Sequence, residues 1–197
     1  MFIDKPFCFR LAKGKDFLAR ARRKRVPVTS FSTVPLSKCF AGFRKAVAKA
    51  GEIRALASFG PVDLRSKYGG IFFYGVHQVD MLLSLAGPDV KAVCVNRAKG
   101  GDAVATLFWA GGVIGSMHCM AARSTGFQVS VAAAGGNVAA QLQSDPHPYL
   151  AGAKLFCKMF KTGQAPIDHK EILARVAVLE AMAKSVKTGR MTKVATV

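Results

Sequence analysis

Five short runs in the second half of the chain alternate apolar and polar residues: Val90 to Arg97, Ala103 to Ala110, Val113 to Ala121, Phe127 to Ala133 and Asn137 to Leu142. Gly100-Gly101, Gly111-Gly112 and Gly135-Gly136 punctuate them. A period of two places successive side chains on opposite faces, so each run reads as a half-buried strand. Links this short permit antiparallel neighbours and exclude the long crossover that parallel strands need. Such a sheet has helices on one face and leaves the other available to a partner. The expected class is therefore α+β, with an open, mainly antiparallel sheet.

Ahead of these runs stands Tyr68 to Gly87, YGGIFFYGVHQVDMLLSLAG. Gly69-Gly70 lets the backbone turn sharply, and from about Tyr74 the apolar spacing turns helical, with Gly87-Pro88 as the stop. Side chains three apart share a helix face, so Tyr74, His77 and Asp80 form one row near the N-terminal end. One reading is an acid/base histidine, oriented by Asp80 or Tyr74, at the mouth of a pocket. The other is a hydrogen-bonded histidine inside an apolar core.

The opening MFIDKPF reads as a short strand, and proline after Lys5 holds that residue extended. A lysine presented this way can donate to a hydroxyl or a carbonyl. Leu11 to Lys24 reads as a helix, Val26 to Val34 as a strand, Pro35 to Lys49 as a helix and Glu52 to Phe59 as a strand. After the strand run, Tyr149 to Phe160 and His169 to Lys187 read as helices, the second with Asp168 as N-cap and Glu171 three residues on. Lys193 to Val197 reads as a terminal strand at the sheet edge.

The 197 residues suffice for one sizeable core, and 51% hydrophobic content excludes a disordered chain. The net charge of +18 is densest at Arg20, Arg22, Arg23, Lys24 and Arg25. Without interleaved aromatics or zinc-ligand spacing, that block reads as a solvated helix end, with an electrostatic nucleic-acid or anionic-surface binder as the alternative. The five cysteines are scattered and form no Cys-x-x-Cys pair, which argues against a disulfide framework or a metal site. His118 and Met120 share a strand face with Cys119 opposite, too few ligands on either side for a soft metal. Trp109 and Phe108 read as sheet packing. The uncharged stretch from Ser124 to Ser144 carries glutamines and an asparagine around Gly135-Gly136 and suits a hairpin, not a membrane span. No leader is visible at Met1, and a cytoplasmic location is expected.

In order, the pieces IDKPF, GPVDLRSKYGGIFFYGVHQVDMLLSLAG, a run of strands, DPHPY, a TG-x-x-P turn and VLEAMAKS resemble the Gfo/Idh/MocA oxidoreductases over nearly the whole chain. The resemblance implies two parts: residues 1–33 as the end of a dinucleotide-binding Rossmann domain, and 34–197 as a substrate and oligomerisation domain. It implies NAD or NADP as cofactor, a sugar-like substrate and a homo-oligomer formed through the sheet face. Asp4-Lys5-Pro6 stands where the family carries Glu-Lys-Pro. Lys5 and Pro6 thereby inherit contact with the cofactor, and Lys5, Tyr74, His77 and Asp80 contact with the substrate. Lys5, His77 and Tyr74 are the implied catalytic residues, His77 taking the hydroxyl proton.

Two departures qualify that carry-over. Many members place an aspartate four residues before the histidine, where this chain has Phe73, so the orienting role passes to Tyr74 or Asp80. No G-x-G-x-x-G follows a strand, and the chain starts within what would be the last part of the nucleotide domain. Catalysis is therefore expected to need a separate nucleotide-binding half. Apolar surface around Phe2, Ile3, Phe7 and Phe9 is expected where that half would sit.

Overall fold

The computed structural model describes residues 1–121 and 126–197. Helix α1 (Leu11–Arg23) is followed by a 3-10 turn at Val34–Leu36, helix α2 (Lys38–Ala50), strand β1 (Ile53–Pro61) and helix α3 (Ile71–Ala86). Strands β2 (Val90–Arg97), β3 (Ala103–Trp109), β4 (Ile114–Met120), β5 (Phe127–Ala133) and β6 (Gly136–Leu142) come next. Helices α4 (Leu150–Thr162) and α5 (His169–Thr188) and the two-residue strand β7 (Thr192–Lys193) complete the chain.

The strands form one open sheet in the order β6-β5-β1-β4-β3-β2-β7. Every pairing is antiparallel except β1 with β4, so the expected class holds. Strand β1 enters between β4 and β5, which splits the strand run into the β2-β3-β4 meander and the β5-β6 hairpin. The predicted hairpin is that pair, although its first residues, Ser124 and Thr125, lie outside the described residues.

Helices α2, α3 and α5 cover one face. Inward residues such as Leu56, Met117, Leu107, Val93 and Val131 are almost fully buried against them. The other face carries Ala57 and Phe59 of β1, Ser116 and Ile114 of β4, and Thr106 and Phe108 of β3, half-buried or exposed. Trp109 packs inward and its indole N–H donates to the Gly87 carbonyl at 2.8 Å, tying the end of β3 to the end of α3. Among the described residues, no helix is long and apolar enough to cross a membrane.

Several boundaries differ from expectation. Helix α3 begins at Ile71, three residues early, because Gly69 and Gly70 take positive φ values of 108° and 58° and turn the chain straight into it. Helix α2 begins at Lys38, not at Pro35, since the Ser37 hydroxyl accepts from the Phe40 amide and sets the cap there. The segment 26–34 is no strand. It meets the leading segment in a single parallel bridge, Phe2 to Thr29, and then coils into the 3-10 turn. The terminal strand is also shorter, pairing with β2 only through Thr192 and Lys193.

The leading apolar residues are better covered than expected. Phe2 stacks on Phe156 of α4 at 5.0 Å, and Ile3 and Phe7 join a small core of Leu18, Val28 and Val176. Phe9 alone of the four stays 49% exposed. The arginine block closes α1 on the solvent side, where its cations face the negative end of the helix dipole.

Candidate functional site

Helix α3 is the axis of the site. Eleven of its 16 residues are buried, so both its sides are packed and its orientation is fixed by more than one stripe. Gln78 pins it to the sheet: its amide accepts from the Ser58 hydroxyl at 2.8 Å and donates to the carbonyls of Gly60 and His118 at 3.3 and 3.2 Å. Each polar atom of this buried side chain is thereby satisfied, at the ends of the two parallel strands.

The neighbouring His77 points the other way, into a cleft of about 340 Å³ lined by Lys5, Tyr74, Phe127, Gln143, Asp145 and Tyr149 among others. Lys5, Tyr74 and His77 thus meet in one cavity, although the first stands 69 residues before Tyr74 in the sequence. The Lys5 ammonium lies 5.5 Å from the Tyr74 ring centroid and 5.6 Å from that of Phe73, a cation held against aromatic faces. Where the resemblance led one to look for an aspartate, Phe73 therefore presents a ring to the lysine.

Neither of the two expected orienting groups hydrogen-bonds the histidine directly. Tyr74 meets His77 only ring to ring, at 5.6 Å. Asp80 is 2% exposed and fully engaged: one oxygen accepts from the Ser32 amide at 2.9 Å and the other pairs with Arg175 of α5. With Pro6 and Lys5, it lines a second, small cavity. The partner of His77 is Ser32, whose hydroxyl lies 2.7 Å from Nδ1. Ser32 is held in turn, its amide by Asp80 and its oxygen by the Val34 amide at 3.1 Å.

Arg175, Asp80, Ser32 and His77 thus form a chain of contacts from α5 to the cleft. Sequence reasoning missed Ser32 and Arg175, because neither lies within one helical turn of the histidine and the segment holding Ser32 read as a plain strand. Burial, and then the Lys5 charge, lower the His77 pKa from 6.5 to about 3, so the ring is neutral at physiological pH.

On the open face, His118 stacks on Phe59 at 4.0 Å with planes 13° apart, and burial lowers its pKa. Among the described residues, no group of three or more metal-ligating side chains occurs.

The fold is similar to that of solved inositol dehydrogenases and other dehydrogenases. The fold matches myo-inositol dehydrogenase from Lactobacillus casei, solved with NAD(H) and myo-inositol, at a TM-score of 0.84 and 12% identity, over 100% of this chain and 70% of that one. It matches a myo-inositol dehydrogenase from Corynebacterium glutamicum at 0.80 and 17% identity, over 100% and 73%. GenD2 of gentamicin A biosynthesis, solved with NAD, matches at 0.81 and 18% identity, over 98% and 71%. In sequence, the chain is 35% identical over 110 residues to the uncharacterized oxidoreductase YhhX of Escherichia coli K12. That match takes in 50% of this chain and about a third, 32%, of the relative. No family model matches the chain.

Proposed function

We propose that this chain supplies the substrate side of an NAD(P)-dependent oxidoreductase acting on CH–OH groups of sugar-like molecules. The observation that carries the reading is the convergence of Lys5 and His77 on one cleft beside Tyr74. The residues fit the nicotinamide and substrate end of a dinucleotide. They do not fit its pyrophosphate, since no G-x-G-x-x-G follows a strand in the sequence. Turnover accordingly requires a nucleotide-binding part in addition to these residues.

When bound, the dinucleotide accepts or donates the hydride. The chain's own residues handle the proton. Lys5 places a cation beside the reacting oxygen and lowers the pKa of that hydroxyl. His77, neutral and anchored through Nδ1, keeps Nε2 free to take the proton. Its low basicity means the proton passes through the ring and does not rest there, so Lys5 must carry much of the activation. Phe127, 5.5 Å from the imidazole, and Tyr149 wall the cleft and limit water.

The test is a chimera with the NAD(H)-binding part of the L. casei enzyme joined ahead of Met1. Reduction of NAD that depends on an inositol or aldose is expected, and Lys5→Met or His77→Gln should lower kcat by about 10²–10⁴-fold. A chimera that binds NAD by calorimetry yet oxidises none of these substrates refutes the reading.

The open sheet face favours a second, compatible role. On the central strands β1, β3 and β4, its positions, Ala57, Phe59, Ile114, Ser116, Thr106 and Phe108 among them, carry no charged side chain in a protein of +18. Such a face suits a second copy of the chain, burying like against like.

A further inference from the structure

A second concavity, of about 510 Å³, shares no lining residue with the Lys5–His77 cleft. Its walls carry Arg10, Lys184, Lys187 and Lys193 against a single carboxylate, Glu180. That carboxylate is already committed: Oε1 accepts from Arg10 Nη1 at 3.3 Å and Oε2 from the Leu11 amide at 2.8 Å. Among the described residues, Lys184, Lys187 and Lys193 have no carboxylate within ion-pair distance. Lys184 and Lys187 stand three apart on α5, so two like charges share a helix face and β7 adds a third, a cluster of cations open to an anion.

The floor is apolar. Phe9 meets Phe72 edge to face at 5.0 Å, and Phe9 stays 49% exposed beside those lysines. The volume lies within the ~300–1,000 Å³ typical of small-molecule sites. We infer that this concavity binds a small amphipathic anion, its ring or branched body on the Phe9–Phe72 floor and its carboxylate or phosphate toward the three lysines. The inference uses none of the residues that line the Lys5–His77 cleft.

The experiment titrates the full chain, with alanine methyls labelled for NMR, with 2-naphthoate, inorganic phosphate and a hexaglutamate peptide in turn. Ala181, Ala183 and Ala195 line the concavity, whereas Ala57 and Ala139 lie on the far sheet and serve as controls. Naphthoate should shift the first group saturably and leave the second unmoved. Its affinity should fall about tenfold or more in the Lys184→Gln/Lys187→Gln variant, whose substituted side chains are exposed. Phe9→Gln should weaken naphthoate and leave phosphate binding unchanged. Absence of saturable shifts at those methyls overturns the inference, as does affinity indifferent to the lysine change. Tighter binding of hexaglutamate than of naphthoate overturns it too, in favour of an acidic protein segment.

Discussion

At His77, a buried imidazole replaces the water of the unfolded chain with aromatic walls, a serine hydroxyl and a nearby cation. Between its folded pKa of about 3 and the ordinary value of 6.5, the unfolded state binds the proton and the folded state does not. Stability from this group is therefore present above pH 6.5 and is lost as pH falls toward 3. Thermal denaturation from pH 7 to pH 4 should show the wild type losing more melting temperature than His77→Gln; parallel curves would contradict the assignment. Ser32 is a positioning residue, acting through the ring. In Ser32→Ala, the ¹⁵N shifts of the imidazole should move away from a single fixed tautomer, and Ser32→Thr should restore them. Unaltered ¹⁵N shifts in the alanine variant would show that Ser32 holds nothing in place.

At the scale of elements, each helix is as secure as its ends. Asp168 caps α5 by accepting from the Lys170 amide at 2.7 Å, while Glu171 turns to Arg175 instead of reaching back to the cap. Asp168→Ala should cost about 1 kcal/mol in chemical denaturation, and a change too small to resolve would mean that α5 is held by packing alone. These ends were legible: Asp168, Gly69-Gly70 and Gly87-Pro88 carry their own local chemistry, and the strands announce themselves by alternation. The run 26–34 alternates just as well, yet has one bridge to pair with, since strand formation depends on a neighbour that no periodicity reports. For the same reason the cleft was only half readable. Lys5 and His77 stood out by motif, whereas Ser32 reaches His77 across 45 residues of chain.

For the whole molecule, the open face of β1, β3 and β4 carries no charged side chain although the chain carries a net +18. Equilibrium sedimentation should find a dimer or larger assembly, and Ile114→Lys, at an exposed position on β4, should shift it toward monomer while leaving the melting temperature within a few degrees. A wild type that stays monomeric at high concentration removes the case for that face. Glu180 joins the two ends of the chain: its carboxylate receives the first amide of α1, a helix with no side-chain cap of its own and no acidic residue in its first turn. During synthesis, then, α1 emerges without its N-terminal anchor and waits for most of the remaining chain to leave the ribosome. Docking of the leading segment should be among the last events of folding, and a nascent chain halted before residue 180 should leave it open to protease.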